Sequence, residues 1–131
     1  MSLLKKKPDF SLLIGHEELL AEAVSAGAHG GVCGGANLIP QLYVDLYNAT
    51  CSEDLSTVET LHKRVMQISK AIYGVGKYES SYLKGLKCAL SCLGICNDFL
   101  AEPFHRFRRS ERNVIRRRIK ELGLFEKHKE S

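Results

Sequence analysis

The sequence predicts an α/β fold in which two parallel βα units are followed by a run of helices. Two short apolar stretches, residues 9–15 and 30–35, are bounded by glycine, and each precedes a segment whose apolar residues recur at helical spacing. The order strand, helix, strand, helix is typical of parallel βα units. From residue 52 onward only the helical spacing remains, so most residues of the chain are expected to be helical.

The first βα unit is predicted from residues 9–30. The stretch DFSLLIG is a short apolar run that ends in glycine, which is typical of a buried strand. The stretch HEELLAEAVSAGAHG follows it with leucine, alanine and valine at helical spacing, and Gly27 is the expected end of that helix.

The second βα unit begins with GGVCGG, residues 30–35, which we interpret as another buried strand. Asn37 is a good N-cap for the helix that follows, and Pro40 falls in its first turn, where proline is tolerated. Four glycines within six residues indicate that the backbone comes close to another group there. A phosphate, a second piece of chain and a substrate are the three candidates.

Three helices are predicted after the second βα unit. The expected N-caps are Ser52 for the first helix and Ser110 for the third. The glycines expected to end the three helices are Gly74, Gly94 and Gly123. The change of pattern divides the chain into a βα region, residues 1–51, and a helical extension, residues 52–131.

Composition places the chain among globular proteins of about one domain. It has 131 residues, of which 44% are hydrophobic and 26% charged. No apolar run reaches the roughly 18 residues that cross a bilayer, and MSLLKKKPDF has no apolar core of a secretory signal. Five cysteines, an odd number, favour reduced thiols in a cytoplasmic protein over a disulfide framework.

Basic residues are concentrated in one segment. The net charge is +4, and seven arginines fall within residues 106–118, a density that also occurs in nucleic-acid-binding helices. Here they alternate with Glu111 and an apolar face, so the charged outer face of a packed helix explains them. No nucleic-acid partner and no membrane association are therefore predicted.

The glycine-rich stretch matches neither of two common phosphate-binding patterns. The dinucleotide fingerprint needs glycines at i, i+2 and i+5, which no register of residues 27–35 supplies. The Walker pattern ends in Gly-Lys-Ser/Thr, whereas Ala36 and Asn37 follow Gly35. Tight strand packing or the close approach of a substrate is favoured instead.

The stretch GHEE, residues 15–18, places two carboxylates after the first predicted strand, where α/β folds build active sites. From the residues alone, first-turn carboxylates that complement the helix dipole are the favoured interpretation of Glu17 and Glu18. His16 and His29 are expected to be solvated loop side chains.

Three cysteines and two lysines in the helical extension are candidate functional groups. Cys88, Cys92 and Cys96 recur every four residues, which favours a small apolar core stripe over a metal cluster. Lys84 and Lys87 are expected to be solvated or ion-paired rather than imine-forming. No metal site and no cofactor are predicted.

The chain resembles the dihydrodipicolinate synthase/N-acetylneuraminate lyase family over nearly its whole length. The resemblance rests on DFSLLIGHEELLAEAVSAGAHGGVCGGANLIPQLYVDLYNA, then LHKRVMQI, then KGLKCALSCLGI. It implies a class I, imine-forming aldolase on a (β/α)8 TIM barrel. Residues 1–51 then correspond to the last two βα units of the barrel, and residues 52–131 to the family's C-terminal helical extension.

The resemblance assigns several positions to the substrate pocket. Gly15 matches a glycine that leaves room beside the bound keto acid, and the backbone of Val32 is expected to contact the pyruvyl group. Cys33 and Gly34 follow along the pocket wall. Glu17, with Glu18, resembles an acidic pair that holds sugar hydroxyls in the sialic-acid lyases, which favours a hydroxylated 2-keto acid. The resemblance as a whole implies pyruvate or such an acid as the substrate.

The resemblance also implies what the chain lacks. The family's imine-forming lysine, catalytic tyrosine and hydroxyl-rich carboxylate motif belong to earlier strands, so no catalytic residue is predicted here. We expect a C-terminal segment of a pyruvate-dependent aldolase or lyase, inactive alone, cytoplasmic and homo-oligomeric, a tetramer being usual in the family. The alternative is a non-catalytic oligomerisation or binding module derived from the same family.

Overall fold

The structure, a computed structural model, describes residues 9–127, with side chains up to residue 125. Residues 1–8 and 128–131, which belong to the predicted βα region and helical extension, lie outside the described residues. The chain forms two compact units, one ending at Met66 and the other beginning at Gln67. The boundary falls inside a long helix.

The first unit contains two parallel βα units, as predicted. Its elements are strand β1 (Leu13–Ile14), a 3-10 turn (Glu17–Leu19), helix α1 (Leu20–Ser25), strand β2 (Gly30–Gly31), a second 3-10 turn (Gly34–Asn37) and helix α2 (Pro40–Cys51). The two strands pair in parallel, with Leu13 opposite Gly30 and Ile14 opposite Gly31.

Both strands are shorter than predicted. Residues 9–15 and 30–35 were expected to be extended, but the ladder spans two residues in each strand, with flanking bonds from the His29 N–H to the Leu12 carbonyl and from the Val32 N–H to the Ile14 carbonyl. Beyond Val32 the chain turns, because the Gly35 N–H donates to the Glu17 carboxylate instead of to a strand.

Two predicted helix starts in the first unit are wrong. Asn37 lies inside the 3-10 turn and its Nδ2 donates to the Gly34 carbonyl, while α2 begins at Pro40, whose place in the first turn is confirmed. Ser52 lies at the C-terminal end of α2, where its hydroxyl donates to main-chain carbonyls. Helix α3 (Leu55–Tyr73) is capped by Asp54, which accepts bonds from the backbone N–H and the hydroxyl of Thr57.

The second unit is helical, as expected. It contains the end of α3, then α4 (Ser81–Cys92), α5 (Arg109–Glu121) and α6 (Leu124–Lys127), of which α6 was not predicted. The three predicted ends near Gly74, Gly94 and Gly123 are confirmed. Ser110 is not the N-cap of α5, because that helix already includes it and its hydroxyl donates to Glu111.

Each unit has its own apolar core. In the first unit the largest buried side chains are Leu38, Leu46 and Val65, and in the second they are Ile68, Ile72, Ile115, Ile119 and Leu124. Helices α3 and α4 approach so closely that a Cβ at Gly85 would overlap the Ile72 carbonyl oxygen. Among residues 9–127 no helix is long and apolar enough to cross a membrane.

The predicted cysteine stripe is only partly buried. Cys88 lies in the core of the second unit and Cys92 is half-buried, but Cys96 is exposed. The helix ends at Cys92, so Cys96 lies beyond it and leaves the helical face on which the prediction relied.

Candidate functional site

The residues predicted to contact substrate follow the two strands. Gly15 and Glu17 come after β1, and Val32, Cys33 and Gly34 come after β2. Because the strands are parallel, their carboxyl ends lie at the same edge, and the fold brings the five positions together there. In parallel α/β folds this edge is where active sites form.

Two of these positions leave the edge open. A Cβ placed on Gly15 would have no other atom within 4 Å. Val32 is 71% exposed. The strands before these positions are not buried as predicted, because Leu13 in β1 and Gly31 in β2 are exposed. The surface at this point is apolar and uncovered within the described residues.

Glu17 is buried and bonded within the first unit. It is 1% exposed. Its Oε2 accepts a hydrogen bond of 2.7 Å from the Gly35 N–H, and its Oε1 accepts one of 2.7 Å from the Tyr43 hydroxyl. The carboxylate of the first βα unit therefore fixes the loop and helix of the second, an arrangement that neither interpretation of GHEE had included.

Glycine allows this network to close. A Cβ on Gly35 would overlap the Tyr43 hydroxyl and lie 2.7 Å from the Glu17 Oε1. A Cβ on Gly31 would lie 2.7 Å from the Leu20 Cδ1. At these two positions the close neighbour is another piece of chain, which answers part of the question raised by the glycine-rich stretch.

Burial and the Glu17 charge keep two nearby groups protonated. Burial raises the pKa of the Cys33 thiol to about 11, and the charges of Glu17 and Glu18 add to the effect. Burial, the charge of Glu17 and its hydrogen bond all raise the pKa of Tyr43 above its ordinary value. The Cys33 thiol is therefore neutral at physiological pH rather than a nucleophilic thiolate.

The other candidate residues occupy separate positions. Glu18 is half-buried, with the His16 Nδ1 at 3.7 Å, and the His29 Nδ1 accepts a hydrogen bond from the Leu12 N–H. Lys84 and Lys87 lie on α4 in the second unit. Among residues 9–127 no group of three or more His, Cys, Asp or Glu side chains could hold a metal ion.

Sequence reasoning missed Tyr43 and the specific role of Gly35. Tyr43 fits the helical spacing of α2, and that spacing alone does not distinguish it from the other residues of the helix. The density of glycines did indicate a close approach, but it did not identify the buried carboxylate that Gly35 meets.

Comparison with known proteins identifies the family. The profile of the Dihydrodipicolinate synthetase family matches residues 1–122. The chain belongs to the Dihydrodipicolinate synthetase family. Its membership agrees with the fold, because the solved dihydrodipicolinate synthase from Bacteroides thetaiotaomicron superposes with a TM-score of 0.88 at 56% identity.

Two curated relatives of this family are more distant. A probable 2-dehydro-3-deoxy-D-pentonate aldolase of Escherichia coli is 32% identical over 89 residues, which cover 68% of this chain and 28% of the relative. A 4-hydroxy-tetrahydrodipicolinate synthase of Methanopyrus kandleri is 28% identical over 116 residues, covering 88% and 37% respectively.

The chain corresponds to part of these family members. The match to the Bacteroides structure covers 92% of this chain and 41% of that one. The predicted fold, part of a family TIM barrel with two parallel βα units and a helical extension, is therefore confirmed.

Proposed function

We propose that this chain forms the C-terminal part of a pyruvate-dependent aldolase or lyase and supplies one wall of its substrate pocket. The observation that carries the proposal is the open edge where Gly15 and Val32 lie side by side after two parallel strands. A planar 2-keto acid would lie against the backbone of Val32, with Gly15 leaving room beside it. Cys33 and Gly34 would continue the same wall.

The two glutamates take different parts in this proposal. Glu17 has both carboxylate oxygens bonded to Gly35 and Tyr43, so we assign it to holding the wall in position. Glu18 is half-buried at the same turn and would face the hydroxyl groups of a hydroxylated 2-keto acid. Pyruvate or such an acid is the proposed substrate class.

The reacting groups of the proposed enzyme lie outside these residues. An imine between pyruvate and a lysine needs that lysine to face the keto carbon, and no lysine occurs among residues 10–62. Lys84 and Lys87 belong to α4, and we assign neither to the reaction. We assign no catalytic residue to this chain. The proposed reaction needs no cofactor, because the imine itself serves as the electron sink.

Grafting tests the proposal. The matching segment of the Bacteroides enzyme is replaced by this chain, and the chimera is treated with pyruvate and borohydride, which reduces an imine to a stable amine. We expect a covalent pyruvyl adduct on a lysine of the Bacteroides portion, located by peptide mass spectrometry. The 131-residue chain alone, treated identically, is expected to remain unmodified.

A substitution in the graft then tests the wall. Gly15→Val should raise the pyruvate concentration for half-maximal trapping roughly tenfold, since the branched side chain would fill the space of the ligand. Ala26→Val, at the exposed end of α1, is the matched control and should change nothing. An adduct on the isolated chain would overturn the absence of the imine-forming lysine.

The assembly and location of the protein complete the proposal. We propose a cytoplasmic homo-oligomer shaped by the helical extension, with no nucleic-acid or membrane partner. Sedimentation of the chimera should give a single oligomeric species. A stable oligomer of this chain combined with a folded chimera that never traps pyruvate would instead favour the non-catalytic module.

A further inference from the structure

A basic cavity lies in the second unit, away from the proposed wall. It has a volume of about 290 Å³ and forms where the loop before α4 meets the segment before α5. Four cationic side chains and one carboxylate line it: Lys77, Lys84, Arg106, Arg108 and Glu111. A cavity with this excess of positive charge favours an anion.

The cations of this basic cavity are not equally engaged. Arg106 lies 3.7 Å from the Asp98 carboxylate and over the Phe99 ring, so its positive charge is partly compensated. Lys77 and Lys84 form no ion pair with any carboxylate among residues 9–127. Their ammonium groups are available to a ligand.

Ser81 places a hydrogen-bond donor in the same cavity. The residue is 7% exposed and lines the basic cavity, and its hydroxyl makes no hydrogen bond within the described part of the chain. That hydroxyl is not one of the fully buried atoms that lack a partner, so it keeps contact with solvent. It is free to donate to an acceptor oxygen of a bound molecule.

Glycine and an aromatic ring shape the space around that hydroxyl. A Cβ on Gly76 would overlap the Ser81 Oγ and lie 3.3 Å from the Phe107 Cε1. The half-buried Phe107 ring lines the basic cavity as well, and so offers an apolar surface beside the cationic groups.

Glu111 is the one carboxylate among the charged groups that line the basic cavity. The pKa of its carboxyl is lowered by its own backbone N–H, the Ser110 hydroxyl and the charge of Arg108, so it stays ionised. Its negative charge reduces the attraction of the cavity for anions but does not reverse it, because four cations face this one carboxylate. The positive charge that remains attracts a dianion more strongly than a monoanion such as a simple carboxylate.

We propose that the basic cavity binds the phosphate group of a small phosphate monoester. Such a group is close to a dianion at neutral pH and presents three acceptor oxygens. The Ser81 hydroxyl and the ammonium groups of Lys77 and Lys84 donate to those oxygens, while the organic part of the ligand packs on Phe107. All these residues belong to the second unit, so the inference is independent of the proposed keto-acid wall.

Titration of the full chain tests the proposal. Isotope-labelled protein is titrated with inorganic phosphate and with phenyl phosphate while the backbone amide resonances of Gly76 and Ser81 are followed by NMR. We expect saturable shifts with both probes and tighter binding of phenyl phosphate, because its ring reaches Phe107. Pyruvate, a monoanion, should leave these resonances unchanged, which separates this cavity from the keto-acid wall.

Matched variants locate the binding. Lys84→Gln and Ser81→Ala should each weaken phenyl phosphate binding, the lysine variant roughly tenfold, because each removes a donor to the phosphate. Arg116→Gln removes the same charge from the exposed part of α5 and should leave the affinity unchanged. Thermal melting confirms that each variant is folded, and the exposed Lys77→Gln substitutes for Lys84→Gln if that variant is not.

Three results would overturn the assignment. One is the absence of saturable shifts at Gly76 and Ser81. The second is an equal loss of affinity in Arg116→Gln, which would indicate general attraction to a basic surface. The third is tighter binding of a single-stranded oligonucleotide than of phenyl phosphate, which would indicate a polymer rather than a small ligand.

Discussion

The two units of the chain bury their carboxylates in different ways. In the first unit, Glu17 accepts hydrogen bonds from the Gly35 backbone and the Tyr43 hydroxyl. In the second, Asp98 is 8% exposed and accepts a bond of 2.8 Å from the Arg112 guanidinium, which also donates to Ser91. In these bonds Glu17 accepts from two neutral donors, a backbone amide and a hydroxyl, whereas Asp98 is paired with a charged side chain.

Of these two carboxylates, only Glu17 also helps to form the candidate wall. The bond between Glu17 and Gly35 stabilises the first unit and, in the same contact, fixes the loop that carries Val32 and Gly34. The Asp98–Arg112 pair joins the loop before α5 to that helix and takes no part in the wall. Loss of Glu17 should affect both stability and the geometry of the candidate wall, while loss of Asp98 should lower stability and leave that wall unchanged.

The largest expected effect is that of Glu17→Ala. It leaves the Gly35 N–H and the Tyr43 hydroxyl buried without their acceptor, and should lower the free energy of unfolding by about 4 kcal/mol. Urea unfolding of the chain measures it. Glu22→Ala, which removes an exposed carboxylate nearby on α1, should cost less than about 0.5 kcal/mol. Equal effects in the two variants would mean that the network contributes nothing.

Gly35→Ala is expected to come next. The added methyl group would overlap the Tyr43 hydroxyl, and forcing the loop away should cost about 3 kcal/mol in unfolding free energy. Gly15→Ala is the control, since a Cβ there meets open space. Adding Tyr43→Phe should restore only part of the stability of Gly35→Ala, because the methyl group would still lie 2.6 Å from the ring carbon Cζ.

Asp98→Asn should have a smaller effect in the second unit. It removes the charge that faces the half-exposed Arg112, and should lower the free energy of unfolding by about 2 kcal/mol. In the chimera this variant should leave the pyruvate trapping curve unchanged, whereas Glu17→Gln should shift it. An equal shift of the trapping curve in Asp98→Asn and Glu17→Gln would show that the two carboxylates do not differ in their effect on the pocket.

The smallest effect concerns thiol reactivity and pH. Because the pKa of Cys33 is raised to about 11, its contribution to stability is complete below the ordinary value of 9.0 and is lost as the pH rises through 11. At pH 8 the exposed Cys51 should react with a thiol reagent at least about ten times faster than Cys33. Peptide mass spectrometry gives the two rates.

Glu17→Gln sharpens the same measurement. It removes one of the charges that raise the pKa of Cys33, so the thiolate should form at a lower pH and Cys33 should react faster at pH 9. Unchanged Cys33 kinetics in this variant would mean that burial and the charge of Glu18 account for the raised pKa without Glu17.

The second unit was the easier of the two to predict from sequence. Helices α3, α4 and α5 carry apolar residues at regular spacing, and the glycines after them end each helix where expected. Such patterns are local, so they can be recognised without knowledge of the rest of the chain. The N-caps are less predictable, because α2 and α5 follow Ile39 and Arg108, whose side chains make no capping hydrogen bond.

The first unit depended on contacts between distant residues. Parallel strand order and the common edge of Gly15 and Val32 follow from the alternation of strands and helices. The bond from Glu17 to Gly35 joins residues 18 positions apart, and no periodic pattern encodes it. The predicted strands are too long for the same reason, because the Gly35 N–H donates to Glu17 instead of extending the strand.

Two glycines in the helical unit define different limits on how the sequence can vary. At Gly85 the obstacle is space, because the Ile72 carbonyl occupies the position of any Cβ, so every other residue is excluded at that crossing of helices. At Gly94 there is space, and only its φ of +79° favours glycine, a conformation that asparagine tolerates. As related sequences diverge, asparagine can replace glycine at position 94, whereas position 85 must remain glycine. The separation of α3 and α4 is therefore preserved.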